Sequence, residues 1–222
     1  MRQDRGNILF LILLAVVLFA ALSYAVTNST RGGGNDASPE KLNLIASQMV
    51  QNVHLIEQNM MRAQVVDSIP DWGFNTYPAQ STNSTCTQTS CNIYAYGGRN
   101  GGAPYYKVPA ELAADPSGGD ITPIWYIYRS MGLGTDANDL AITYVGINKG
   151  LCNALNTLLQ NGVDVTIGDT INANVQYTGT LTAMPASAGI VGDVNATAIG
   201  KKGYCFQLSG GSYRFHYIVM ER

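Results

Sequence analysis

The sequence predicts an α+β chain headed by a transmembrane helix. Three observations lead there: an uncharged apolar run from Ile8 to Val26, an apolar stripe at helical spacing between Leu42 and Met60, and short runs of β-branched and aromatic residues beyond Pro123.

At about 1.5 Å per residue, the run from Ile8 to Val26 reaches roughly the ~30 Å thickness of a bilayer's hydrocarbon core. Arg2 and Arg5 precede it, and Thr27-Asn-Ser-Thr30 follows before the next basic residue, Arg31. The preference of short basic flanks for the cytoplasm keeps the N-terminus inside and exports the remaining ~190 residues. Three readings fit this opening. A secretory signal peptide would be cut near Ser23-Tyr24-Ala25, but its apolar core is usually only ~7–15 residues long. A plain single-pass anchor is the second. The third starts from the leader Met1-Arg-Gln-Asp-Arg-Gly6, which is short and basic, ends in Gly6 and runs directly into Asn7-Ile-Leu-Phe-Leu-Ile-Leu-Leu.

This leader and helix resemble those of type IV pilins and the pseudopilins of type II secretion. In that family a membrane-embedded prepilin peptidase cuts after the leader glycine. The resemblance implies Gly6 as the last leader residue, Asn7 as the new N-terminus, and assembly with other pilin-like subunits from the bacterial inner membrane. The family usually carries Phe or Met at the first mature position and Glu at the fifth; this chain has Asn7 and Leu11. The implied fold is a membrane helix continued by an amphipathic helix that packs on an antiparallel β-sheet. The expected organisation is a leader at 1–6, a transmembrane helix at 7–26, a glycine-rich stalk at 27–37, and an exported α+β domain at 38–222, in the periplasm or outside the cell once assembled.

Composition is consistent with export. Charged residues are 13% of the chain, among 24 glycines and many Asn, Thr, Ser and Tyr, so the surface is polar but weakly charged. The net charge of −2 supplies no basic field for nucleic acid, and Lys201-Lys202 reads as a solvated turn. Four cysteines in an exported domain favour disulfides. Three pairings are open. The favoured one joins Cys86 to Cys91 in a small loop and Cys152 to Cys205 across a helix and a strand. The spacing matches no zinc motif, and no metal or other cofactor is expected.

Arg31-Gly-Gly-Gly-Asn-Asp36 is too glycine-rich for a helix interior and reads as a flexible stalk. Ser38 then caps a helix, with Pro39 in its first turn and Glu40 at the positive end of its dipole. Leu42, Ile45, Met49, Val53, Ile56 and Met60 form the stripe that this helix, running to about Val66, must bury. His54 reads as a partly exposed surface residue, and Met60-Met61 as core filler.

Residues 68–123 break into turn-rich pieces, including Tyr96-Gly-Gly-Arg-Asn-Gly-Gly102 and Asp115-Pro-Ser-Gly-Gly-Asp120. Tyr94, Tyr96, Tyr105 and Tyr106 there are either a binding surface or residues that pack the loops onto a sheet. Strands follow at Pro123–Tyr128 and Leu140–Val145, with a turn at Gly132–Thr135. Lys149 to Gln160 reads as a helix closed by Gly162. Strands are then expected at Val163–Ile167 and Asn174–Thr178, a Gly- and Ala-rich loop at 184–200, and a final hairpin of Tyr204–Leu208 with Tyr213–Val219 around Ser209-Gly-Gly-Ser212.

Catalysis has the least support. His54 and His216 have no Ser, Cys or acid partner at motif spacing, and no catalytic or phosphate-binding signature occurs. His216 reads as a surface or cross-strand packing residue. Asp136 and Asp139 lack the ligand order of a calcium loop and read as a polar turn. Sequons at Asn28, Asn83 and Asn195 are acceptors only in a compartment that holds the transferase. The expected function is therefore non-enzymatic: a filament or pseudopilus subunit, or alternatively a membrane-anchored periplasmic or surface binding domain that does not assemble.

Overall fold

The computed structural model describes residues 5–30, 37–69, 74, 91–94, 102–130, 139–162, 175–176, 190–191, 200–207 and 213–221. They divide into two compact units, Met1–Ala37 and Ser38–Arg222.

The first unit is helix α1, Arg5–Thr30, unbroken by Gly or Pro after its first turn. It corrects the expected transmembrane helix: among the described residues, no helix is long and apolar enough to cross a membrane.

The second unit is α+β. Helix α2, Pro39–Asp67, starts where the capping residues place it: Ser38 Oγ accepts from Lys41 N at 3.4 Å, Pro39 occupies the first turn and Glu40 follows. It ends at Ser68, whose φ of 54° turns the chain out of the helix while its N–H bonds Ala63 O. Ile45, Met49, Val53, Ile56 and Met60 of the expected stripe are buried together with Ala46, Asn52 and Ala63, whereas Leu42 at the edge is half-exposed.

Strands β1 (Pro123–Ser130), β2 (Asp139–Ile147), β3 (Val175–Gln176), β4 (Ile190–Val191), β5 (Gly203–Gln207) and β6 (Tyr213–Met220) form one sheet in the order β3-β1-β2-β6-β5, with β4 also beside β1. β1 pairs β2, and β5 pairs β6, as antiparallel neighbours; β2 and β6 join the two hairpins. The β1–β4 pair is parallel, Arg129 to Ile190 and Ser130 to Val191, so the sheet is not wholly antiparallel. The expected loop at 184–200 thus contains a two-residue strand, an Ile-Val pair between glycines that is too short to show alternation. Within the expected strand 174–178, Val175–Gln176 is a strand paired with Tyr126 and Ile127; 174, 177 and 178 lie outside the described residues.

Helix α3, Lys149–Leu158, has an N-cap that the sequence reading overlooked: Asn148 Oδ1 accepts from Leu151 N at 2.8 Å. Its exit differs from the expectation as well. The chain first turns left-handed at Gln160 (φ 57°), before Gly162 (φ 83°). Both α2 and α3 pack on the sheet and on each other. Trp125, Ile142, Tyr144, Phe215 and Tyr217 share the helical side by strand alternation, and Tyr144 stacks on Phe215. Thr143, Arg214, His216, Tyr204 and Phe206 occupy the opposite face and are buried too.

Candidate functional site

Helix α1 presents an uncovered surface. Phe10, Leu11, Ile12, Leu13, Leu14, Val16, Val17, Leu18, Phe19, Leu22 and Tyr24 are all exposed, Phe19 to 73%. Successive residues rotate 100° around a helix, so consecutive positions cover every direction. An apolar surface on the order of 1,000 Å² therefore faces outward, well above the few hundred Å² a monomer ordinarily shows. Gly6 and Asn7 lie in the first turn of this helix, and Leu11 is among its exposed residues.

The second feature is a polar cluster where α2 meets β6. Glu57 accepts from Lys202 Nζ at 2.5 Å through Oε1 and from Tyr217 Oη at 3.3 Å through Oε2. Lys202 also pairs Glu221 at 3.1 Å. His54 Nδ1 lies 3.1 Å from Tyr217 Oη, with the two rings edge-on at 5.4 Å. Burial, reinforced by Glu57 and then Glu221, pushes the Tyr217 phenol well above its ordinary range. Burial alone would lower the Lys202 ammonium, but its bonds to Glu57 and Glu221 prevail and hold it above its ordinary value. Neither group is available as base or nucleophile near neutral pH; the cluster ties α2 to the end of the sheet. Lys202 is thus a paired residue, not the freely solvated turn the sequence suggested. His54 is partly exposed, as expected, its side chain 51% accessible.

His216 is wholly enclosed instead of lying on the surface. Its neighbours in register are Thr143 on β2 and Tyr204 on β5. Burial first, and the Arg214 charge second, lower its imidazole to about 3, so it is neutral at physiological pH. Arg214 lies 5.8 Å from the Tyr126 ring. The ring at position 216 therefore packs across strands, the second of the two expectations.

Cys152 and Cys205 form a disulfide with a Cα–Cα distance of 5.4 Å. Cys91 is disulfide-bonded as well; Cys86 lies outside the described residues. Tyr94 and Tyr105 pack instead of forming an open aromatic surface. Trp125 Nε1 donates to Tyr94 Oη at 3.1 Å, and Tyr105 meets Tyr94 edge-on. Tyr106 Oη bonds Gln48 at 3.0 Å, and Tyr96 lies outside the described residues. Asp139 is fully buried on β2, away from a solvated turn, and Asp136 is outside the described residues. So are Asn83, Asn195, the turns at 132–135 and 209–212, the strand expected at 163–167 and most of the stalk. Among the described residues no group of three or more His, Cys, Asp or Glu side chains could hold a metal ion.

A shallow cleft of about 340 Å³ opens beside the bulge near the end of β2, lined by Ala113, Asp115, Asp120, Ile121, Ile124 and Val145 among others. Gly146, at φ 90°, makes that bulge, and its carbonyl accepts from Ala114 N at 2.7 Å. No protein-family model, curated protein or solved structure matches the chain.

Proposed function

We propose that this protein is a non-enzymatic, pilin-like structural subunit that assembles into a filament or secretion pseudopilus through α1 and displays the Ser38–Arg222 unit at the bacterial cell envelope. One observation carries the reading: α1 exposes apolar side chains in every direction. A single partner covers one stripe of a helix, so covering the whole circumference takes several neighbours. Identical subunits that repeat a head-to-tail contact without closing a ring build a helical filament. Leu11 stands where the pilin family carries a carboxylate, so docking in this chain relies on apolar packing.

The disulfide between Cys152 and Cys205 is consistent with an oxidising, exported compartment. In this reading a prepilin peptidase cuts between Gly6 and Asn7. Mass spectrometry of the mature N-terminus, with the candidate peptidase present and deleted in the native host, tests it. A peptidase-dependent start at Asn7 is expected. A start at Val26 would remove most of α1 and overturn assembly, and a peptidase-independent start at Met1 or Arg2 would favour a displayed binding domain, for which the cleft at Ile121 and Ile124 is the candidate surface.

A further inference from the structure

The chain leaves α3 through an Asn-Gly pair whose two residues answer separate structural demands. Asn161 is half-buried, and its Nδ2 donates to Gly203 O at 2.7 Å on the outer edge of β5. Its own N–H bonds Asn156 O at 2.8 Å, which pins its backbone to the last turn of the helix. Gly162 is exposed and stands at φ 83°, a conformation that residues with a side chain rarely adopt.

The same pair is chemically labile. The backbone nitrogen that follows an Asn attacks its side-chain Cγ: a new C–N bond forms, the Cγ–Nδ2 bond breaks, and Nδ2 leaves as ammonia. Water then opens the cyclic imide to aspartate or isoaspartate, so one amide and one water give one carboxylate and one ammonium. Glycine favours the attack because no Cβ crowds the nitrogen. In the fold the attack is opposed. The carboxamide is held against Gly203 O and the backbone against Asn156 O, whereas ring closure requires both to rotate. Closure therefore waits for the end of α3 to separate locally from β5. Two ties set how often that happens: the disulfide between Cys152 and Cys205, and the two bonds from Asn156 to Cys205 on the same strand as Gly203.

We propose that Asn161 is a modification site gated by these ties, converting to aspartate or isoaspartate in a chain whose Cys152–Cys205 disulfide has not formed and protected once it has. The product cannot donate to Gly203 O and sets a carboxylate against that carbonyl; isoaspartate also lengthens the main chain by one carbon. The change persists after the disulfide forms, so it leaves the β5 edge partly unclamped, with its groups open to another strand. The inference rests on α3 and β5 and stands whether or not α1 builds a filament.

Peptide mapping of the full chain by mass spectrometry tests it. The parent with its disulfides intact, the Cys152→Ala, Cys205→Ala double variant, the Asn156→Ala variant and the urea-unfolded parent are incubated side by side at mildly alkaline pH. Conversion at 161 is followed over time, with near-UV circular dichroism as the check on folding. The folded parent is expected to convert at least tenfold more slowly than the unfolded chain. Each loosened variant that keeps its near-UV signal should convert at least tenfold faster than the folded parent. Asn161→Asp, which builds one product directly, should lower the urea midpoint of the otherwise unchanged protein. Equal rates in the folded and unfolded parent, equal rates in the parent and a folded loosened variant, or an Asn161→Asp midpoint that matches the parent's would each overturn the proposal.

Discussion

Asn156 holds Cys205 by both of its backbone groups: Nδ2 donates to Cys205 O at 2.8 Å, and Oδ1 accepts from Cys205 N at 2.9 Å. The carboxamide takes the place of a neighbouring strand on the outer edge of β5. Asn161 continues the pattern by donating to Gly203 O at 2.7 Å. The inner edge of β5 is paired with β6, so without these two residues the outer edge would offer unpaired groups to another chain. One turn before Asn156, Cys152 is bonded covalently to the same Cys205.

Asn156→Ala leaves a buried N–H and a buried C=O without partners. At roughly 1–3 kcal/mol per unsatisfied group, the expected loss is about 2–6 kcal/mol. Asn156→Asp keeps the acceptor for Cys205 N–H but sets an oxygen against Cys205 O, and is expected to cost at least as much at pH 7. Urea unfolding of the three proteins measures this. A change below 1 kcal/mol in both variants would show that the clamp is replaceable by water.

The disulfide adds a separate contribution. It closes a loop across a sequence separation of 53, for which the chain-entropy model gives about 4 kcal/mol. Cys152→Ala with Cys205→Ala should lower stability by about that amount and leave Asn156 to hold the α3–β5 contact alone. Adding Asn156→Ala to this double variant should then cost more than it does in the parent protein, because the two links share one strand residue. A double-mutant cycle in urea reads the coupling, and strict additivity would show that the two links act independently.

Gly203 allows the ring of Tyr217 to lie across β5. A Cβ at 203 would sit 2.6 Å from Tyr217 Cδ2 and 3.0 Å from Leu159 Cδ1. The same ring positions the hydroxyl between His54 and Glu57. Gly203→Ala must displace a buried ring, at a cost of about 1–3 kcal/mol. Tyr217→Phe keeps the ring and loses the hydroxyl's contacts, at about 1 kcal/mol. Thermal unfolding should rank Gly203→Ala as the more damaging of the two; the reverse order would mean that the ring shifts without penalty.

Much of the fold was legible because its signals are local. Ser38-Pro39-Glu40 marks a helix start within one turn, and the six-position stripe of α2 repeats often enough to define the buried face, although its first member, Leu42, lies half-exposed. The β1, β2, β5 and β6 strands are runs of β-branched and aromatic residues long enough to place within a few residues. Asn148 carried the same capping chemistry as Ser38 and was readable, yet the apolar positions of α3 drew the reading away from it. Val175-Gln176 falls inside the strand expected at 174–178, whereas Ile190-Val191 was not legible as a strand, since its parallel pairing with β1 decides it. Nor was the Glu57–Lys202 pair, which spans a sequence separation of 145 and joins α2 to the residue just before β5. The apolar opening was read as a bilayer span, whereas among the described residues no helix is long and apolar enough to cross a membrane.

His216 links the sheet's second face to pH. Its imidazole titrates near 6.5 when unfolded and is lowered to about 3 in the fold by burial and then by Arg214. The unfolded chain therefore binds a proton that the folded one excludes. Stability from this residue is complete above pH 6.5 and falls as pH drops toward 3, with a limiting slope of about 1.4 kcal/mol per pH unit. His216→Leu abolishes that slope while retaining an apolar side chain of similar size between Thr143 and Tyr204. Carboxylates contribute to both proteins at low pH, so the informative quantity is the difference between the two urea-derived stability profiles from pH 7.5 to 4.5. The variant should gain on the parent steadily below pH 6.5, by about 2 kcal/mol at pH 5 relative to pH 7.5. Parallel profiles would mean that the folded protein accepts the proton at position 216 and that this face of the sheet is more open to water than its burial implies.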